Sequence, residues 1–542
     1  MGTAAPDLVR RAPPGGGTMP GSWPPEQPFG KWRERLWPIH AYELKKFFPM
    51  FLMFFFISFV YSMLRNTKDA LIVTAPDGGA DLIPFLKVYG VIPASVLFML
   101  AYARLSNVLS RRRLFSAALA PFLVFFALFA ALYPMRESLQ PVAAFAHWQH
   151  RLPPWLASLA ALARHWTFAL FYIMAELWGS VALSLLFWAF ANDTVKVEES
   201  RRFYALFGAG ANLALVAVKF ANQGIHVLER RLVARYALAH WTAYLDVLMA
   251  MVVACILAVL GIHRWIHRHV LTDPRFCAPE DRQAQRARRP GMSLRAAAGY
   301  LARSRYLRFI AILVICYGIA INLIEVTWKT HLGLLRPDPR DYQDFMANFA
   351  LATGITSLVL MLFVANNVIR RFGWTGAALV TPVVLALTGT GFFAFILFQD
   401  ALAPFLAAHG TIPLAVAVLF GTVQNVLSKA AKYSLFDPTK EMAYIPLDPE
   451  SKGKGKAAID VVGARLGKAG GSLIQQGLIA LYHSLRAVPG LIAAILVGVI
   501  GAWIWAALGL GRAYRRLTRE GARPAPPGGT GTEAPGMGEK TR

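Results

Sequence analysis

Charge is scarce in this chain: 16% of its 542 residues are Asp, Glu, Lys or Arg, whereas 56% are of hydrophobic types. The mean hydropathy of +0.45 is too high for an ordinary water-soluble protein and argues against a soluble enzyme. Cysteine is scarcer still. Cys255, Cys277 and Cys316 lie far apart, the first and last inside apolar runs, so neither a disulfide framework nor a Cys-rich metal site is indicated. Acidic residues are the minority sign: 30 Asp and Glu stand against 56 Lys and Arg, a net charge of +26. Such an excess suits nucleic acid or a membrane surface, and its distribution along the chain decides between them. The chain also lacks a catalytic triad, a metal motif and a P-loop, and its 12 His are scattered mainly over polar connections.

What is abundant is long apolar runs. A hydrocarbon slab about 30 Å thick needs about 20 apolar residues of helix to cross it. Runs of that kind predict twelve spans, at about 47–64, 82–103, 114–133, 166–190, 203–222, 242–262, 309–328, 345–368, 374–398, 412–428, 457–483 and 488–510. The tenth is short, and the eleventh carries Asp460, Arg465 and Lys468 in its first half. With both ends on the cytoplasmic side, the connections on that side hold 40 of the 56 basic residues and the opposite connections hold 12. This is the bias that orients membrane helices, so most of the positive charge is topology and no nucleic-acid partner is expected. Eleven of the basic residues fall between spans six and seven.

The expected organisation is therefore an all-α polytopic membrane protein of two six-helix halves, of the major-facilitator kind. Residues 1–46 form an N-terminal segment, 47–262 the first half, 263–308 a basic cytoplasmic linker, 309–510 the second half and 511–542 a cytoplasmic tail. The first 30 residues and the tail from about 520 are rich in Pro and Gly and are expected to be disordered. The N-terminus has no secretory apolar core, and MGTAAP places Pro where a myristoylation signal needs Ser or Thr.

A charge near the middle of a span costs roughly 2.5 to 3.5 kcal/mol on insertion scales, so those present should face a cavity or one another. Five places qualify. RNTKDA at 65–70 puts Arg65 and Lys68 three residues apart on one helix face, beside Asp69. Two such cations suit a polyanion, and a snorkelling interfacial cluster explains them equally without any ligand. AELWGS at 175–180 sets Glu176 inside an otherwise apolar run, as a gating carboxylate or a structural ion-pair partner. INLIEVTWK at 321–329 has Glu325 four residues before Lys329, a spacing that a local pair accounts for. By position, Glu176 is the stronger candidate for a membrane-buried acid.

SKGKGKAAIDVVGARLGKAGG at 451–471 alternates Gly and Lys like a phosphate-gripping loop, yet the pattern G-x-x-x-x-G-K-[ST] is absent because Ala469 follows Lys468. A cationic loop resting on the membrane surface accounts for Lys452, Lys454 and Lys456. Arg465 and Lys468 weigh against that reading, because they sit on an apolar helix face with only a wet cavity to receive them. Finally, Gln424, Asn425, Lys429 and Lys432 recur at helical spacings on span ten and its exit. Such amides can read the edge of a base or bond a neighbouring helix.

Several strings together resemble the ATP/ADP translocases, the nucleotide transport proteins of obligate intracellular bacteria and plastid inner envelopes. They are LWPIHAYELKKFFPMFLMFFF, LRNTKDALIVTA, IPFLKVYGVIPASVLFMLAYARLSN, AELWGSVALSLLFWAFAN, NLIEVTWK and KGKAAIDVVGARLGKAGGSLIQQ, spread from about residue 36 to about 512. The resemblance implies a twelve-helix exchange carrier in the inner membrane of a bacterial cell, working without hydrolysis or cofactor. It also implies functional roles for Lys68, Glu176, Glu325 and Lys456, with Lys454 as the alternative to Lys456. Two departures stand out: a longer segment HWQHRLPPWLASLAALARHW between spans three and four, expected to alter only an outside loop, and Asn66 where the family commonly has Asp.

On that reading Lys68 and Lys456 clamp the phosphates of ATP or ADP, assisted by Arg65, Arg465, Lys454 and Lys468, while Asn425 helps hold the base. Glu176, Glu325 and Asp460 serve as gating or coupling acids that take up the cations when the site is empty. A monomer is compatible with everything in the chain. Two other readings stay open: a proton-coupled nucleotide importer, and a membrane protein that binds nucleotides or anionic lipids without transporting them.

Overall fold

The computed structural model describes residues 33, 37–76, 78–139, 152–273, 276, 304–447, 459 and 463–521. Regular structure among them is helical throughout, with no strand. Eleven helices are long and apolar enough to cross a membrane. In chain order, with two further helices included, they are α1 (Ala41–Val73), α2 (Ala80–Val108), α3 (Arg111–Met135), α4 (Pro154–Arg164), α5 (Trp166–Thr194), α6 (Arg202–Tyr236), α7 (His240–His269), α8 (Arg305–Leu335), α9 (Pro339–Val364), α10 (Asn367–Ala408), α11 (Pro413–Ala443), α12 (Ala464–Tyr482) and α13 (Pro489–Thr518). The eleventh predicted span falls on α12, a helix of 19 residues in which Arg465, Lys468, Gln475 and Gln476 dilute the apolar character. It is therefore the one predicted span outside the eleven.

The segment between spans three and four is more than a loop. The Pro153–Pro154 pair looks like a helix breaker, but Pro154 occupies the first helical position, where its missing N–H costs nothing, and α4 follows. The helix packs against α12 and the start of α2, and the buried His165 just beyond it contacts the Pro76 carbonyl through Nε2 at 2.8 Å. The segment is thus built into the fold.

The chain forms two compact units, each packed mainly on itself. The first takes in α1 as far as Lys68, α2 from Pro93, α3, α5 from Leu170, α6 and α7. The second takes in Asp69–Ile92, α4 and α8 to α13. In the first unit Phe47, Phe54, Phe187, Phe203 and Phe207 join α1, α5 and α6 through ring contacts of 4.2 to 6.3 Å. In the second, α8 is the central element: 72% of its most apolar stretch is buried, against 28% for that of α2, and it packs on α11, α12 and α13.

Helix boundaries follow local chemistry. Ser304 caps α8 by accepting from the Leu307 N–H at 3.3 Å, and Asp338 caps α9 by accepting from the Arg340 N–H at 2.8 Å. Within α1, the Ser62 and Thr67 hydroxyls donate to the carbonyls of Ser58 and Met63, both at 2.9 Å. Their polar atoms are satisfied inside the helix, so α1 runs unbroken through RNTKDA to Val73. Four stretches widen to π-helix: Leu86–Val91, Gly179–Leu186, Leu360–Val364 and Lys432–Phe436. Two of these begin within three residues of Glu176 and Lys429, and a third contains Lys87. π-Bulges are frequent at functional sites.

Candidate functional site

In the first unit α1 and α5 are locked by two contacts. Trp178 Nε1–H donates to the Ile57 carbonyl at 3.0 Å, and a Cβ added to Gly179 would lie 2.5 Å from the Tyr61 ring. Only glycine permits that approach. The registration sets Glu176 opposite Lys68, with the ammonium 3.2 Å from Oε1 and both side chains largely enclosed at 3% and 22% exposure. Tyr172, one turn before Glu176, presents its ring to the same ammonium at 3.9 Å from the centroid. Lys68 thus has a carboxylate and an aromatic face about its ammonium. Arg65, one turn earlier on α1, is half-buried.

In the second unit four charges form a chain. Lys329 Nζ lies 2.7 Å from Asp69 Oδ2 and 3.1 Å from Glu325 Oε1. The same Glu325 oxygen is 3.3 Å from Lys429 Nζ. The side chains of Asp69, Lys329 and Lys429 are at most 5% exposed, and that of Glu325 is 13% exposed. Glu325 is therefore more enclosed than Glu176, the reverse of their ranking by position in the sequence. The local Glu325–Lys329 pair exists as its spacing predicts, inside a larger group that the spacing does not reveal. Close packing of α8 on α11 builds the group: Trp328 Nε1–H donates to the Val418 carbonyl at 3.2 Å, and a Cβ on Gly421 would lie 2.4 Å from the Trp328 ring. Two turns on, Lys429 reaches Glu325, with Phe349 4.7 Å below its ammonium.

One turn before Glu325, Asn322 gathers a polar layer. Its Oδ1 accepts from Lys87 Nζ, and its Nδ2 donates to Ser472 Oγ at 2.9 Å and to the Lys468 carbonyl at 3.1 Å. Gln475 Nε2 donates to the Asn322 carbonyl at 3.2 Å. This layer depends on glycine. A Cβ on Gly467 would meet the Ile315 carbonyl at 2.9 Å, and one on Gly471 would meet Asn322 Nδ2 at 2.9 Å. Gly463, Gly467 and Gly471 recur every four residues, the small-residue stripe by which membrane helices approach each other. Here glycine brings α12 onto α8 where the sequence raised a phosphate-gripping loop.

The other expected residues divide. Lys454, Lys456 and Asp460 lie outside the described residues, as does the Arg465 side chain, although the Arg465 backbone is in the first turn of α12. Lys468 is exposed. Asn425 is fully buried and spends Nδ2 on the Gly421 carbonyl at 2.9 Å. Its Oδ1, and both polar atoms of the buried Gln424, have no hydrogen-bond partner among the described residues. Asp69, Lys329 and Lys429 enter the site without having been assigned a role from the sequence. Their signal was charge inside or beside an apolar run, with helical spacing in addition for Lys329 and Lys429.

Buried ammonium groups covered by carboxylates can serve as masked anion sites. Both groups are formally neutral, which lowers the cost of keeping them in the membrane, and an entering anion can displace a carboxylate from its lysine. A family model described as TLC ATP/ADP transporter matches residues 24–514. The chain belongs to this family. It is 52% identical over 491 residues to ADP,ATP carrier protein 1 of Chlamydia pneumoniae, covering 90% of this chain and 95% of that protein. It is 43% identical over 488 residues to ADP,ATP carrier protein 2, chloroplastic, of Arabidopsis thaliana, covering 90% and 77%. Among solved structures, a bacterial homologue of the iron transporter ferroportin in the inward-facing state is similar with a TM-score of 0.50 at 13% identity, covering 86% of this chain and 98% of that one. That likeness concerns the fold, a major-facilitator-like arrangement of helices. This member of the TLC ATP/ADP transporter family is a multi-pass membrane protein with transporter architecture.

Proposed function

We propose that the protein is a membrane antiporter that exchanges ATP for ADP by alternating access, hydrolysing neither. The observation that carries this reading is Lys68, an enclosed ammonium held between Glu176 and Tyr172. Family membership and the naming of the relatives as ADP,ATP carriers support the choice of substrates. ATP brings about four negative charges and ADP about three, so a binding site must offer several cations where water screens them weakly. Lys68 and Arg65 contribute from α1. Lys454, Lys456, Arg465 and Lys468 contribute from the Gly-Lys segment, and Asn425 from α11 toward the base.

When no nucleotide is bound, Glu176 takes Lys68 back. Competition between carboxylate and phosphate for one ammonium makes the neutral pair and the loaded site the two low-energy states, which is the requirement for exchange. Glu325 and Asp460 serve the same end elsewhere in the chain. The protein is organised as two six-helix halves, 47–262 and 309–510, in a bacterial inner membrane with both termini cytoplasmic, and a monomer is compatible with that plan. The bias of 40 of 56 basic residues supports that orientation.

Purified protein reconstituted into vesicles tests the reading. Labelled ATP should enter vesicles loaded with ADP and should scarcely enter empty ones. Uptake indifferent to internal nucleotide, and abolished by an uncoupler, would instead mean one-way proton-driven import.

A further inference from the structure

The chain of four charges in the second unit is asymmetric. Lys329 is held by Asp69 at 2.7 Å and by Glu325 at 3.1 Å, while Lys429 takes the longer contact of 3.3 Å to the same Glu325 oxygen. We propose that Lys429 is a phosphate-engaging residue of the carrier, that Glu325 covers it between substrates, and that Asp69 positions Lys329 to receive Glu325 when a phosphate arrives. The inference rests on the exchange reading above and extends it to three residues.

Three features support this division of labour. First, Glu325 and Lys329 are four residues apart on α8, so Glu325 moves wholly onto Lys329 by side-chain rotation, with no shift of the helix. Lys429 is on α11, and its contact is the one that such a rotation gives up. Second, the ammonium left behind is not stranded. The Phe349 ring lies 4.7 Å from it, and an aromatic face stabilises a cation that has lost a carboxylate and awaits an anion. Third, Lys429 precedes by three residues the π-helical stretch Lys432–Phe436, where helical hydrogen bonding is already altered.

The charges also account for release. At rest Glu325 lies between the two lysines. Once a phosphate takes Lys429, Glu325 withdraws onto Lys329 and its negative charge stays close to the bound anion. That charge opposes tight retention, as a carrier that must let its substrate go requires. Asp69 is what keeps Lys329 in place to receive Glu325, and its role is positional.

The alternative is a brace in which the four side chains only hold α1, α8 and α11 together. Exchange of external ATP for internal ADP in reconstituted vesicles separates the two, using Lys429→Gln and the double variant Glu325→Gln with Lys429→Gln. Loss of one charge-assisted contact should raise KM for ATP at least about tenfold in Lys429→Gln, with a smaller rise for ADP. The double variant removes acid and base together, so it restores a brace and leaves no uncompensated charge. Under our proposal its KM stays raised, because the phosphate still has no ammonium to meet. A KM that returns to the wild-type value in the double variant, or an unchanged KM in Lys429→Gln, overturns the proposal. Should Lys429→Gln fail to reach the membrane, the double variant alone decides. Wild-type vesicles that exchange nothing would sink the exchange reading itself, whereas normal wild-type exchange with normal KM in these variants would sink only the role given to Lys429.

Discussion

Lys68 meets Glu176 in the first unit, whereas Asp69, Lys329, Glu325 and Lys429 follow one another in a chain of contacts in the second. In the pair, removing the acid takes the carboxylate from an enclosed lysine. In the chain, removing one acid leaves another beside Lys329, and the charge is redistributed. The same residue types therefore make a single contact in one place and a chain of contacts in the other. Lys68 and Asp69 are consecutive in the sequence, yet each belongs to a different arrangement because neighbours on a helix point about 100° apart.

The largest effect should come from the pair. Lys68→Ala removes the ammonium that Glu176 holds and that the proposal gives to the phosphate, and initial rates of ATP uptake into ADP-loaded vesicles should fall by about 100-fold or more. Full activity in that variant would break the comparison outright. Glu325→Gln should act less severely. Lys429 would be uncovered while Asp69 still holds Lys329, so KM for ATP should fall and the maximal rate should drop about tenfold or less, because an exposed ammonium binds substrate better and releases it more slowly. A rise in KM would show that Glu325 does not cover a substrate cation.

Smaller effects sharpen the role of packing. Gly467→Ala must push α12 away from the Ile315 carbonyl, which a Cβ would approach to 2.9 Å, and should cost about 1 to 3 kcal/mol, read as a lower thermal transition in detergent. Gly463→Ala, where a Cβ would find ordinary packing distances no closer than 3.6 Å, should leave the transition unchanged to within about 0.5 kcal/mol. Equal sensitivity at the two glycines would mean that the close approach of α8 and α12 is not what holds the Asn322 layer.

Much of this architecture was legible in the chain, and the failures have physical causes. Apolar runs and basic connections point to all eleven apolar helices, because a bilayer imposes one length and one charge bias on any span. The polar α12 is the weak span for the same reason: its buried face carries Ser472, Gln475 and Gln476, which hydrogen-bond to neighbouring elements and lower the hydropathy. Glu176 stands out as an acid in an apolar run. Glu325 ranks lower by sequence because nearness to a span end suggests exposure, whereas α8 is enclosed by α11, α12 and α13. No local pattern announces that Asp69, Lys329 and Lys429 meet across 360 residues of sequence. The repeat of Gly at 463, 467 and 471 is visible as spacing, and only the partner helix shows that it serves packing.

Competition for Lys68 is the centre of this account, and Glu176→Gln isolates it. Nucleotide affinity and exchange rate should be measured on the same purified variant, by equilibrium binding of labelled ATP in detergent and by ATP/ADP exchange in vesicles. With its competitor neutralised, Lys68 should bind ATP about tenfold more tightly while exchange slows by a similar factor. Unchanged or weaker binding alongside slowed exchange would show that Glu176 does not compete with the nucleotide, and would contradict the account.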